Sequence, residues 1–360
     1  MAEEREIPIN KGNYSMDTEE RDLLFEKNRG SDWPDEYKIY RDKWLKFAKE
    51  KIVSDYPLLV DLELASICNL KCPMCYTISD AFKKTVNAKR MDFDLYKKII
   101  DEIKFKVPSI RLSLRGESTL NKHFVECIRY AKKNGIKEVS TLTHGFKLTL
   151  PFFKEIVDAG IDWITISIDG VGERYNSIRK PLRFDELYEK IKTIKKFKDE
   201  NNLKKPVIKV QGIWPAIKDN PTKYYETLAP YVDQVAFNPL IDAFDKQENV
   251  EYIDNFSCPQ QYQRLTIGAD GLVMKCANDE NNYEVVGDAK KETVYEIWHG
   301  DKMKKVRELQ NERKGFLKSD VCKSCFLPRK TYDEKFKVQN REITVQNYEG
   351  VDQEVGESNF

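Results

Sequence analysis

Three cysteines stand within eight residues of the stretch SICNLKCPMCYT, at Cys68, Cys72 and Cys75. Clustered thiolates are soft ligands that select zinc, cuprous copper or iron–sulfur clusters. A structural zinc closes its shell with four ligands, and no fourth cysteine lies nearby. The only histidines are His123, His144 and His299, and none is in the loop, although His144 follows a predicted strand. An iron–sulfur cube suits the spacing better: three irons take thiolate and the fourth keeps an open position. On spacing alone zinc stays a competing reading. Cys127, in HFVECIRYAKK beside Phe124, Ile128 and Ala131, reads as a buried small hydrophobe on a crossover helix.

The chain around this loop has 360 residues, 40% of them apolar, enough for a large domain and a smaller partner. Lys and Arg number 61 against 60 Asp and Glu, a net charge of +1 that offers no field for nucleic acid or an anionic membrane. No apolar run approaches the roughly 18 residues of a membrane span. The N-terminus MAEEREIPINKG is too polar for a secretory signal, so a cytoplasmic protein is expected. In a reducing compartment its eight cysteines are expected as ligands rather than disulfides.

The elements that must position these residues fall into four stretches. Residues 1–57 read as a charged arm followed by a helix. Asp32 is placed to cap that helix, and Pro34 sits in its first turn. Trp33, Tyr37, Tyr40, Trp44 and Phe47 fall on one face of it, expected as core. Residues 58–245 alternate strands (58–64, 109–115, 138–144, 163–169, 207–214, 234–240) with helical patterns. Such units make parallel strands joined by right-handed crossovers. The fold class expected is α/β, an open six-strand partial (βα)6 barrel, with a doubly wound sheet as the alternative. In either, chemistry gathers at the C-terminal ends of the strands, where the cysteine loop lies. Residues 246–330 hold a hairpin around Asp270-Gly271, the helix TVYEIWHGDKMKKVRELQ and the pair Cys322 and Cys325. Residues 331–360 read as a polar tail along the surface.

Cys68-Asn-Leu-Lys-Cys72-Pro-Met-Cys75 after a first strand resembles the signature of the radical S-adenosylmethionine (radical SAM) superfamily. The resemblance implies a cluster whose unique iron binds the amino and carboxylate groups of SAM. Reductive cleavage then gives a 5'-deoxyadenosyl radical that takes hydrogen from a substrate. Met74 stands where the family usually has an aromatic residue near adenine. Leu114-Arg115-Gly116-Glu117-Ser118 resembles the family's Gly-Gly-Glu-Pro turn, which implies a SAM-binding role for Gly116 and Glu117. Thr143-His144-Gly145 resembles a Thr-Asn-Gly turn and makes His144 a substrate candidate. Ser167-Ile168-Asp169-Gly170 resembles a Ser-hydrophobic-Asp-Gly strand end, with Ser167 for SAM and Asp169 facing substrate. Arg179 matches an arginine that pairs with the SAM carboxylate.

The remaining cysteines, Cys258, Cys276, Cys322 and Cys325, follow a C-x12-G-x4-C then C-x2-C order that resembles the SPASM extension of these enzymes. No cysteine follows Cys325, so the family's second auxiliary cluster has no ligands here. Four thiolates suffice for one fully ligated [4Fe–4S] cluster, or for a structural zinc. The resemblance implies two [4Fe–4S] clusters, SAM, and an electron donor such as flavodoxin or ferredoxin. The reaction expected is oxidation of a small polar, carbohydrate- or aminocyclitol-like substrate. Peptide modification, epimerisation, and a non-enzymatic iron–sulfur or zinc scaffold are the alternatives.

Overall fold

The computed structural model describes residues 6–240, 250–348 and 355. The expected boundary at 245/246 lies outside these residues. Strands β1 (Tyr14–Ser15), β2 (Leu59–Leu62), β3 (Ser109–Arg111), β4 (Glu138–Thr143), β5 (Trp163–Ser167), β6 (Val207–Ile213), β7 (Gln234–Asn238), β8 (Arg264–Ile267), β9 (Leu272–Met274) and β10 (Val285–Asp288) form one sheet. Their order is β1-β7-β6-β5-β4-β3-β2-β8-β9-β10. Strands β2 to β7 run parallel in chain order, the expected six-strand core of an open barrel. Helices Phe93–Ile103, Phe124–Lys133, Leu150–Ala159 and Phe184–Glu200 make four of the crossovers.

Alternation along the strands separates two faces. Val60, Leu62, Ile110, Val139, Ile164, Ile208 and Val235 face the helices and are completely or almost completely buried in the main core. The opposite parity carries Asp61, Arg111, Ser140, Thr165, Ser167, Lys209, Gln211 and Asn238. A packed barrel interior is filled by branched aliphatic side chains. This inner face is polar instead, the composition of a surface that meets water or a ligand.

The hairpin around Asp270-Gly271 forms as expected, with Ile267 opposite Val273. Its first strand also pairs in parallel with β2, so the C-terminal region continues the barrel's own sheet. Two other stretches depart from the sequence reading. The expected arm contains β1, which pairs with β7, and α1 (Glu19–Arg29). The expected polar tail contains a hairpin, β11 (Thr331–Val338) and β12 (Arg341–Tyr348). Its alternation buries Val338, Val345 and Tyr348, and Phe336 meets Trp214 at 4.6 Å, while the charged residues face out.

Trp33 and, on helix α2 (Pro34–Glu50), Tyr37, Tyr40 and Trp44 are buried as expected, while Phe47 is only half-buried against them. Asp32 does not cap the helix: the N-cap is Trp33, and Asp32 pairs with Lys205 at 2.9 Å. Helices α1 and α2 together close the N-terminal end of the strands. Phe25 meets Trp163 edge-on at 5.6 Å, and Arg29 forms a buried ion pair with Glu138 while lying 4.3 Å over the Trp163 ring.

Candidate functional site

The cysteine loop leaves β2 and is held by backbone bonds at both ends. Ser66 and Lys89 bond reciprocally, and the amide of Glu117 donates to the Ile67 carbonyl at 2.9 Å. Gly116 makes that approach possible. It has φ +61°, and a Cβ there would lie 2.6 Å from the carbonyl oxygens of both Ala65 and Ile67. Cys72 is buried, while Cys68 and Cys75 are half-buried. Burial pushes the Cys72 thiol up to about 11, against the pull of Arg179 and with the push of Cys75 and Cys68. The Leu70 amide donates to Cys68 Sγ at 3.3 Å, and Thr77 Oγ1 lies 3.0 Å from Cys75 Sγ. Three thiols gathered on one loop with these donors fit an anionic cluster. Among the described residues, no three His, Cys, Asp or Glu side chains converge tightly enough for a single metal ion. Of the histidines, only His144 reaches the loop.

Glu117 and His144 form one network. The carboxylate Oε1 accepts from Thr119 Oγ1 at 2.6 Å and Thr143 Oγ1 at 2.7 Å, and Oε2 accepts from the His144 amide at 3.0 Å. His144 Nδ1 accepts from the Phe146 amide at 3.1 Å, which leaves the proton on Nε2, 2.9 Å from Asn69 Oδ1. Burial lowers the His144 pKa, so the ring is neutral at pH 7. Asn69 lies between Cys68 and Leu70. His144, expected to face substrate, therefore clamps the cysteine loop with both ring nitrogens committed.

Asp169 is likewise occupied. Its Oδ2 accepts from Arg179 Nε at 2.7 Å and its Oδ1 from the Ile213 amide at 3.0 Å. It fixes Arg179 beside the loop, where the guanidinium's field pulls on Cys72 and Cys68. Ser167 ends β5, and Met74 is half-buried against the main core. Cys127 is buried under its helix, on the outer side of the sheet, as expected.

Arg115 was not anticipated as a functional residue. It makes a bidentate pair with Glu63, with Nε to Oε1 and Nη2 to Oε2 both 2.7 Å. Its Nη1 donates to the Glu280 carbonyl at 3.0 Å and Asn282 Oδ1 at 2.8 Å, while Glu63 Oε2 also accepts from the Ala269 amide at 3.0 Å. One buried guanidinium thus ties the cysteine-loop strand to the C-terminal region. Charged Glu63, two residues after Asp61 in an apolar run, was the available signal.

The second group is also gathered. Burial pushes Cys258 up to about 12, with Cys325 and Cys322 adding to it, and Cys276 is raised by burial and by all three others. Lys275 Nζ lies 3.2 Å from Cys322 Sγ, 2.9 Å from Glu284 Oε2 and against Ser319 Oγ. Asn278 Nδ2 lies 3.1 Å from Cys325 Sγ, and the Leu327 amide 3.4 Å from the same sulfur. Four thiols that repel one another as anions, served by buried donors, suit a fully ligated polyanionic cluster.

Comparison with known proteins agrees with this arrangement. Residues 62–209 match the radical SAM superfamily, and residues 258–326 match SPASM, an iron–sulfur cluster-binding domain. A tungsten-containing aldehyde ferredoxin oxidoreductase cofactor-modifying protein from Pyrococcus furiosus is 29% identical over 254 residues, 67% of this chain and 68% of that protein. A PqqA peptide cyclase from Bradyrhizobium diazoefficiens is 32% identical over 118 residues, spanning 32% of this chain and 30% of the cyclase. Among solved structures, BtrN in complex with AdoMet and 2-DOIA covers 76% of this chain and 94% of its own, at TM-score 0.53 and 18% identity. Streptococcus suis SuiB bound to precursor peptide SuiA covers 80% of this chain and 75% of its own, at TM-score 0.53 and 16% identity. At these identities the likeness is one of fold.

Proposed function

The chain belongs to the radical SAM superfamily and carries a SPASM-type iron–sulfur extension, and on that premise we propose that it oxidises a small polar substrate by removing a hydrogen atom. Its cofactors are SAM and two [4Fe–4S] clusters. Cys68, Cys72 and Cys75 would hold the cluster that binds SAM, and Cys258, Cys276, Cys322 and Cys325 the auxiliary one. Together, SAM and the first cluster supply a carbon radical able to take hydrogen from an unactivated C–H bond. Gly116 would let the backbone approach SAM closely, Arg179 would face its carboxylate, and Ser167 and Met74 would line its ribose and adenine. Glu117, His144 and Asp169 would keep those groups and the loop in place. A low-potential donor such as flavodoxin or ferredoxin would deliver the electron that SAM cleavage consumes, and the auxiliary cluster would take the second electron from the substrate as a proton leaves to solvent.

The observation that carries this reading is the polar inner face, with Asp61, Arg111, Ser140, Thr165, Lys209 and Gln211 on the strands beneath the cysteine loop. Net oxidation is favoured over thiol-dependent epimerisation because Cys127 is buried on the outer side of the sheet and the other seven cysteines would serve the clusters. The relative matched over two thirds of both chains is named as a cofactor-modifying protein, which favours a small molecule. The match to a peptide cyclase favours the second reading, a peptide substrate. Anaerobic incubation of reconstituted protein with SAM and dithionite tests the chemistry: 5'-deoxyadenosine should form, and none should form in the Cys68/Cys72/Cys75→Ala variant. Full cleavage by that variant would end the assignment. A scaffold would yield no 5'-deoxyadenosine at all. No helix among the described residues is long and apolar enough to cross a membrane.

A further inference from the structure

The inner face carries a charge imbalance in one layer. Asp61 on β2 is completely buried, and two guanidiniums reach it. Arg111 Nε on β3 lies 2.8 Å from its Oδ1, and Arg264 Nη1 on β8 lies 3.4 Å from its Oδ2. Strand register brings them together: Asp61 stands opposite Arg111 on one side and Thr266 on the other, with Leu59 opposite Arg264. Above and below it, Glu63 pairs with Arg115 and Glu138 with Arg29. Here, among the described residues, one carboxylate faces two cations, and Arg264 otherwise lies 5.5 Å over the Trp44 ring.

The contacts are also poorly made. Arg111 Nε and Asp61 Oδ1 are buried and 2.8 Å apart without hydrogen-bond alignment, and among the described residues the buried Arg264 Nε has no hydrogen-bond partner. Burial, opposed by Asp61 and reinforced by Arg111, lowers the Arg264 pKa below the ordinary arginine value. A buried guanidinium with an unused donor is costly unless something completes it. The Arg111 side chain keeps 31% of its surface accessible, so an ion can reach it. Guanidinium donors match carboxylate and phosphate oxygens in geometry as well as charge.

We propose that Arg111 and Arg264 together bind an oxyanion of the substrate, a carboxylate or a phosphate, on the inner face. The rest of the substrate then points up toward the cysteine loop. This inference rests on the reading that the substrate enters this face, and it narrows the class. A cationic aminocyclitol is disfavoured, and an acidic sugar or a phosphate ester fits.

Calorimetric titration of the reconstituted, SAM-loaded protein with sodium phosphate and, separately, with sodium acetate is the test. At least one ion should bind saturably, and which one binds identifies the handle. Arg111→Gln and Arg264→Gln should each weaken it by about tenfold, the loss of one charged hydrogen bond. Asp61→Asn removes the competing carboxylate and should tighten binding severalfold, an effect that a merely structural ion pair would not produce. Circular dichroism confirms folding of each variant. No saturable binding of either ion, unchanged binding in Arg111→Gln, or weaker binding in a folded Asp61→Asn protein would overturn the proposal. SAM cleavage is measured in parallel: cleavage without ion binding sinks this inference alone, and absent wild-type cleavage sinks the radical reading.

Discussion

Replacing Lys275 by Met should lower the reduction potential of the auxiliary cluster. The ammonium is buried, 3.2 Å from Cys322 Sγ, and donates into the ligand set. Burial works against its charge, but the Cys322 and Cys276 thiolates and Glu284 outweigh that and hold its pKa above the ordinary lysine value. Reduction adds a negative charge to the cluster, and a nearby cation stabilises the reduced state more than the oxidised one. A hydrogen bond to a charged group contributes about 1.5–3 kcal/mol. Glu284, 2.9 Å from the same nitrogen, offsets part of that, leaving roughly 1–2 kcal/mol by the same measure. At about 59 mV per tenfold for one electron, this corresponds to a drop of ~40–90 mV. The assay is an electron paramagnetic resonance redox titration in the Cys68/Cys72/Cys75→Ala background, where only the second cluster titrates. Lys275→Arg should stay near the parent value. An unchanged or raised potential in Lys275→Met would refute the reasoning.

Iron analysis after anaerobic reconstitution should find about eight irons per chain from two four-iron cubes, and half that in the triple alanine variant. One zinc with four irons would instead make the second site structural. Cys322→Ala with Cys325→Ala should leave SAM cleavage measurable while lowering turnover of the true substrate, read by separate product assays. Gly116→Ala should cost at least ~1–2 kcal/mol from its positive φ alone, seen as a lowered melting temperature and reduced iron retention. Arg29→Met should cost about 3–5 kcal/mol by stranding Glu138, whereas the double change with Glu138→Met should recover most of it in denaturant titrations. Although burial opposes it, Arg29 holds the Glu138 pKa below the usual glutamate value. The pair therefore contributes stability above a pH of about 4.5, lost as pH falls through the depressed folded value. Acid unfolding midpoints of wild type and the double variant should show this difference.

The barrel was legible because its strands and helices obey their own periods. V-D-L-E-L over 60–64 even announces both faces of β2, and the charged members Asp61 and Glu63 turn out to be the residues around which the inner face is organised. The first thiol group was legible from spacing, since ligands on a short loop stay close whatever the fold does, and the second only from its resemblance to the SPASM order. The partners of those residues were not. His144 was visible as a turn residue, but its bond to Asn69 spans 75 residues and follows only from the packing of two strand ends. Arg115 looked like a substitution at a glycine position, and only its distance to Glu63 and Asn282 reveals a tie between regions. The C-terminal hairpin was hidden by composition: T-Y-D-E-K-F-K-V is charged throughout, and its apolar positions gain meaning from Trp214, more than a hundred residues earlier.

The pairing of β8 with β2 has a consequence for how the chain can be divided. β2 lies between β3 and β8, so the strand that launches the cysteine loop has a neighbour on each side. Cut the chain ahead of β8 and β2 becomes an edge, with a row of free amides and carbonyls open to pairing with other molecules. The extension is thus a fender as well as a cluster carrier. A radical SAM core expressed alone should aggregate through that edge, and a viable dissection would have to keep β8 and β9 with the barrel even if every auxiliary cysteine were discarded.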